Sequence, residues 1–231
     1  MYKAVISDLD GTLLSRGHHV TKFTKNVIKE IIKKGINFYI ASGRSYDQIG
    51  YVTEQLEVKI PIIAANGARI FDADGNMIYE KGLSSKAAKA ILGLDYENIA
   101  EGSHLNIFSG NDWIITKGTA QKVYDRISRD VKVDFKEVPK DELENLDILK
   151  IFYIGDHEQL TNLEKAILKI TDDVNVIFVS DYCMEIMAKG ANKGAAAKFL
   201  LEREGLELKD AVAFGDGEND FEMLTMVGKG Y

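Results

Sequence analysis

The sequence predicts an α/β fold: a parallel, doubly wound sheet interrupted by an inserted α+β domain. Three observations carry this. Short apolar runs alternate with helical patterns through the first eighty residues, as in βαβ units. The texture changes after Gly82, where paired strand-like runs appear. The first pattern then resumes near the end, so one domain interrupts another. The expected division is a core of residues 1–83 and 184–231 with an insert of 84–183.

The elements follow in order. "YKAVIS" is a short branched run before a glycine turn, read as a buried strand. In "TKFTKNVIKEIIKKG", Phe23, Val27, Ile28, Ile31 and Ile32 share one helical face and Gly35 is the stop. "INFYIA" is a second strand, and Ser45 opens the helix "SYDQIGYVTEQL". "PIIAA" is a third strand, closed by Asn66-Gly67, and "ARIFDADGNMIYEKG" is a hairpin around Asp74-Gly75. In the insert, "HLNIFSG" and "DWIITKG" pair, "TAQKVYDRISRDV" is helical and "VDFKEV" extended. The strand "ILKIFYIGD", the helix "HEQLTNLEKAILKI" and the strand "VNVIFVSD" complete it. The core returns with the helix "KGAAAKFLLEREG", the strand "DAVAFGDG" and the helix "NDFEMLTMVG".

Composition narrows the function. The chain has 231 residues, 45% of them hydrophobic, enough for a real core. Its net charge of −7 argues against nucleic acid, which wants clustered cations. A small phosphorylated metabolite needs only one or two local cations and stays open as a partner. A single cysteine, Cys183, allows no internal disulfide and fits a reducing compartment. The N-terminal apolar run is too short for a signal peptide, and no run reaches membrane-span length. A cytoplasmic protein is expected. Cys183 reads as a buried thiol, Trp113 as a core aromatic and His104 as exposed.

Chemistry gathers at the strand ends. "SDLDGT" closes the first strand, "SGR" the second and "GDGEND" the late one, while "NKG" opens the helix before it. Ligands of an open parallel sheet bind beyond the carboxyl ends of its strands. Asp8, Asp10, Asp216 and Asp220 would repel one another there unless a cation joined them. All-oxygen ligation suits Mg²⁺. Lys193 adds a point charge for phosphate and Ser42 a hydroxyl. Backbone N–H groups at Asp10–Gly11 and Ser42–Gly43 would complete an anion cradle. This inventory suits phosphoryl transfer through an aspartyl phosphate. Asp8 would be nucleophile and metal ligand, and Asp10 the acid and then the base. Two like charges so close push their pKa values apart, which the two roles require. Alone, each motif has a plainer reading: a turn, an N-cap or a calcium loop. Arg44 reads as a surface ion pair.

Taken together, "DLDGT" at 8–12, "SGR" at 42–44, "NKG" at 192–194 and "GDGEND" at 215–220 resemble the four motifs of the haloacid-dehalogenase superfamily. "NGA" after the third strand and the large insert resemble its Cof-type phosphatases with a C2B cap. The resemblance implies a Rossmann-like core, Mg²⁺, and hydrolysis of small phosphate monoesters such as sugar phosphates. It implies Asp8, Asp216 and the backbone carbonyl of Asp10 as metal ligands. Ser42, Gly43, Lys193 and Asn219 would hold phosphate, with Asp220 supporting that corner. Substrate choice would lie in the insert. Family members usually continue past "VGKGY" with another strand and helix, so an edge strand is expected to be missing. Three other readings stay open. A phosphosugar mutase or other phosphotransferase would pass phosphate to a sugar rather than release it. A receiver-like binding module would be much shorter and lack an insert. A non-catalytic relic would bind Mg²⁺ and phosphate without turnover.

Overall fold

The computed structural model describes residues 1–121 and 135–231. The chain forms two compact units, Met1–Glu80 with Ala191–Tyr231, and Lys81–Gly190.

The first unit is built on a seven-stranded sheet of order β13-β12-β1-β2-β3-β4-β5. Its strands are β1 (Ala4–Ser7), β2 (Asn37–Ala41), β3 (Ile62–Ala64), β4 (Arg69–Phe71), β5 (Met77–Glu80), β12 (Ala211–Phe214) and β13 (Lys229–Gly230). Pairing is parallel from β13 to β3, and the β4–β5 hairpin is antiparallel. Successive side chains of a strand point to opposite faces. In β2, Phe38 and Ile40 therefore meet Ile28, Ile49, Val52 and Leu56 on one face. Tyr39 and Ala41 meet Ala196, Leu200, Leu201 and Met223 on the other. Helices cover both faces, α1 (Lys22–Lys33) and α2 (Tyr46–Leu56) on one, Lys193–Arg203 and Phe221–Met226 on the other. Asp8, Ser42, Ala65 and Gly215 each directly follow a parallel strand, which puts their loops on one rim of this sheet.

Two details differ from expectation. The edge beyond β12 carries the two-residue β13, paired parallel through Val212 and Ala213. The apolar stripe of α1 is wider than the face it buries. Ile28 is buried, whereas Phe23 is 78% and Val27 41% exposed, because only part of a stripe that wide meets the sheet.

The second unit holds a six-stranded sheet of order β10-β11-β9-β6-β7-β8. Its strands are β6 (His104–Ser109), β7 (Asp112–Thr116), β8 (Lys136–Val138), β9 (Ile148–Ile154), β10 (Val174–Ser180) and β11 (Cys183–Ala188). All pairs are antiparallel except β7–β8. Helices Ser85–Leu92 and His157–Ile170 supply Ile91, Leu160, Leu163 and Ile167 to a core with Ile107, Ile151, Tyr153 and Ile186. The helix read at 119–131 lies mostly outside the described residues. β11 was not anticipated. It pairs with β9 and β10, so the insert runs past the expected boundary at residue 183. Its buried Glu185 pairs with the buried Lys150 of β9. Cys183 is partly buried, and burial pushes its thiol up to about 12. Trp113 is half-buried and donates to Asn106. Among the described residues no helix is long and apolar enough to cross a membrane.

The buried and bare sides of α1 can be told apart by mutation. Ile28→Ala is expected to cost about 2–5 kcal/mol in denaturant unfolding, while Phe23→Ser stays within about 0.5 kcal/mol. Equal losses would place Phe23 in a contact that its exposure denies.

Candidate active site

β1 delivers Asp8 to the rim almost fully buried, at 5% exposure. Its N–H donates to the Phe214 carbonyl (2.9 Å), tying this loop to the end of β12. The chain then turns through Leu9–Leu13 with Gly11 at φ +83°. A Cβ on Gly11 would lie 2.2 Å from Asp216 Oδ2, so only glycine fits both the backbone and the space. Thr12 Oγ1 donates to Asp216 Oδ1 (2.8 Å). Thus the first and last loops of the core are packed directly together.

Lys193 is the first residue of its helix, which is capped by Asn192 Oδ1 accepting from Ala195 N (2.7 Å). Its side chain is completely buried, and Nζ lies 2.6 Å from both Asp8 Oδ1 and Asp220 Oδ1. The other oxygen of Asp220 accepts from the N–H groups of Asp216 (3.1 Å) and Gly217 (3.0 Å). Asp220 is therefore engaged on both sides. Asp8 and Asp216 each keep one oxygen outside these side-chain bonds. Ligand atoms of Asp8, Asp216 and Asp220 lie within 4.8 Å of one another. Three clustered carboxylates form an all-oxygen donor set, which fits a hard divalent cation.

Burial pushes the Asp8 carboxyl up to about 6, and the adjacent Lys193 ammonium opposes that rise. Both effects come from one arrangement: a low-dielectric floor and a cation set into it.

Asp10 does not join this cluster through its side chain. Arg44 holds its carboxylate in a two-pronged pair, Nε to Oδ2 at 2.8 Å and Nη2 to Oδ1 at 2.6 Å. Arg44 Nη1 in turn donates to the Tyr51 hydroxyl (2.9 Å). The ion pair expected of Arg44 exists, and its partner is the candidate acid/base. Four converging carboxylates were expected and three converge, because a guanidinium fork takes the fourth.

Ser42 is buried at 1% exposure, and its Oγ accepts from the Arg44 N–H (3.2 Å). The Ser42 N–H does not serve an anion cradle, since it donates to the Ile63 carbonyl within the sheet (2.9 Å). Gly43 sits against Asn66, whose Oδ1 would lie 3.0 Å from an added Cβ. Asn219 Nδ2 donates to Asn66 Oδ1 (2.9 Å). The sequence marks Asn66 as part of a turn and of the "NGA" resemblance, but its link to Asn219 spans 153 residues, beyond any local pattern.

Residues 5–231 match the family model of the haloacid dehalogenase-like hydrolases. The chain belongs to this family. A Buchnera aphidicola protein (subspecies Baizongia pistaciae), provisionally named a phosphatase, is 37% identical over all of this chain and 85% of its own length. The HMP-PP phosphatase of Escherichia coli K12 is 28% identical over all of this chain and 84% of its own. Among solved structures, a haloacid dehalogenase-like hydrolase from B. subtilis superposes with a TM-score of 0.83 at 24% identity, covering 99% of this chain and 88% of that one. A subclass IIB sugar phosphatase of the family superposes with a TM-score of 0.82 at 22% identity, over 99% and 86%. The fold is thus that of a haloacid dehalogenase-like hydrolase with its inserted domain, and the chain is a phosphohydrolase of this family.

The buried carboxylate sets a pH dependence. Asp8 binds its proton near pH 6 when folded, against an ordinary value of 3.8. Between those values the folded state holds the extra proton, so this group's stability contribution falls as pH rises through the window. In metal-free protein, the stability of wild type relative to Asp8→Asn is expected to improve on acidification from about pH 7 to about pH 4. Denaturant titrations at the two pH values check this, and a constant difference would contradict it.

Proposed function

We propose that the chain is a Mg²⁺-dependent phosphatase that hydrolyses small phosphate monoesters through an aspartyl phosphate on Asp8. The observation that carries this reading is the buried Lys193 bridging Asp8 and Asp220 beside Asp216. A nucleophilic carboxylate needs a counter-charge that fixes it without covering both of its oxygens, and this arrangement supplies one. Asp8, Asp216 and the Asp10 carbonyl would hold the metal. When bound, Mg²⁺ neutralises the phosphate and the developing negative charge. Lys193 orients Asp8 and balances charge at the phosphate. The Ser42 hydroxyl, the Gly43 N–H and the Asn219 amide hold phosphate oxygens.

The reaction consists of two successive displacements at phosphorus. An Asp8 carboxylate oxygen attacks phosphorus, and the ester P–O bond breaks. The leaving oxygen takes a proton from the Asp10 carboxyl. Water then attacks the phosphorus of the aspartyl phosphate while Asp10 removes its proton. The Asp8–phosphorus bond breaks, returning Asp8 and inorganic phosphate. Asp10 is 43% exposed on its side chain, open enough to exchange Arg44 for the leaving oxygen. The names of the relatives support a small phosphorylated metabolite as the substrate, and a sugar phosphate is the one among them that fits a monoester.

Phosphate release from p-nitrophenyl phosphate, with and without Mg²⁺, tests the reading. Release that requires Mg²⁺ supports it. Transfer to an added sugar without free phosphate would favour a phosphotransferase, and no turnover of any phosphate ester would favour a relic. Asp8→Asn is expected to reduce release to background, since an amide does not attack phosphorus. Retained turnover in a clean preparation would sink the covalent route. Asp10→Asn is expected to slow alkyl phosphates by about 10²–10⁴ and aryl phosphates less, because a phenolate leaves without much protonation. Equal losses on the two classes would remove Asp10 from the acid role.

A further inference from the structure

We infer that Asn66 is a positioning residue that fastens the Ser42–Arg44 loop to the Gly215–Asp220 loop and so fixes the spacing of the phosphate-binding groups. The inference rests on the reading in which Ser42 and Asn219 hold phosphate.

The turn after β3 is built at a conformational cost. Ala65 (φ +47°), Asn66 (φ +53°) and Gly67 (φ +93°) are all left-handed, and all three are buried. Left-handed backbone costs a side-chain-bearing residue roughly 1–2 kcal/mol, though asparagine bears it better than most. An alanine there has no polar group with which to offset the cost, so the surroundings must hold it in place. They do so by a set of contacts to other loops of the site. The Ala65 N–H donates to the Arg44 carbonyl (2.8 Å) and the Asn66 N–H to the Ser42 carbonyl (2.9 Å). The Asn66 side chain, in a residue 2% exposed, accepts from Asn219 Nδ2 through Oδ1 (2.9 Å). A Cβ on Gly67 would lie 2.2 Å from the Asn192 carbonyl, so this turn also abuts the start of the Lys193 helix.

Asn66 thus touches two loops with different parts of one residue. Its backbone grips the serine loop, and its amide grips Asn219. Asparagine suits both tasks, since it accepts left-handed backbone and carries an acceptor on a short arm. Its burial and its pairing with Asn219 make its effect on substrate an indirect one.

The test separates side chain from backbone. Asn66→Gly keeps the left-handed turn without steric cost and deletes the amide. KM for p-nitrophenyl phosphate and the inhibition constant of orthophosphate are expected to rise together by roughly 2–12-fold, the range of one hydrogen bond, with kcat less affected. On an Asn219→Ala background the same substitution should add less than it does alone. Amide exchange across 215–220 should quicken in Asn66→Gly, and exchange across 65–67 should quicken in Asn219→Ala, which removes the bond from its other end and serves if the glycine variant does not fold. Unchanged KM and phosphate inhibition with unchanged exchange would overturn the inference, as would fully additive effects. Absence of phosphate release from the wild type would refute the phosphatase reading instead, and the exchange comparison would still decide the role of Asn66.

Discussion

One ammonium group organises the first unit. Lys193 lies with no exposed surface between Asp8 and Asp220, and none of the three charges is tolerable there alone. Moving an ion into a low-dielectric interior costs several kcal/mol, and only a well-formed pair offsets it. The offset requires three chain segments far apart in sequence to meet within hydrogen-bond distance. The parallel register of β1 with β12 brings Asp8 beside the Gly215–Asp220 loop. The helix starting at Lys193 packs on that sheet through Ala196, Ala197, Leu200 and Leu201. The glycines follow from the same crowding. Gly215 has no room for a Cβ, which would meet the Asp220 carboxylate at 2.5 Å. Packing, charge and backbone freedom at this rim are one constraint seen three ways.

Much of this was legible in the sequence because the chemistry sits next to punctuation. Asp8, Ser42, Lys193 and Asp216 each lie at a strand end or helix start marked by glycine, and a parallel sheet sends such ends to one rim. What was not legible is pairing. Asp10 and Arg44 stand 34 positions apart, and nothing in the stretch between them announces a guanidinium fork. The strand β11 escaped notice for a related reason. Its glutamate breaks the apolar run that marks a buried strand, and the ion pair with Lys150 on the neighbouring strand offsets the burial of that glutamate. In α1 the error ran the other way: sequence periodicity defines an apolar stripe, but the width of the surface it meets decides how much of the stripe is covered. Local pattern reports what a segment offers, and partners decide what is taken up.

The second unit has a core of its own, with helices on one face of its sheet and the Lys150–Glu185 pair among Phe108, Phe152 and Trp113. Its paired strands all lie within 50 positions of one another in the chain, from the β10–β11 hairpin to His104 of β6 opposite Ile154 of β9. The first unit is the opposite case, since its β1 is completed only by a strand some two hundred residues later.

That order of pairing has a consequence for synthesis. Asp8 and Lys193 are 185 residues apart in the chain. At translation rates of roughly 5–20 residues per second, the carboxylate leaves the ribosome about 10–40 s before its counter-ion. Through that interval the edge of β1 that β12 will occupy stays unpaired, and an open edge is a template for the wrong partner. The inserted unit emerges within the same interval. A candidate site divided by an insert therefore leaves the nascent chain holding an unfinished sheet while another unit is made.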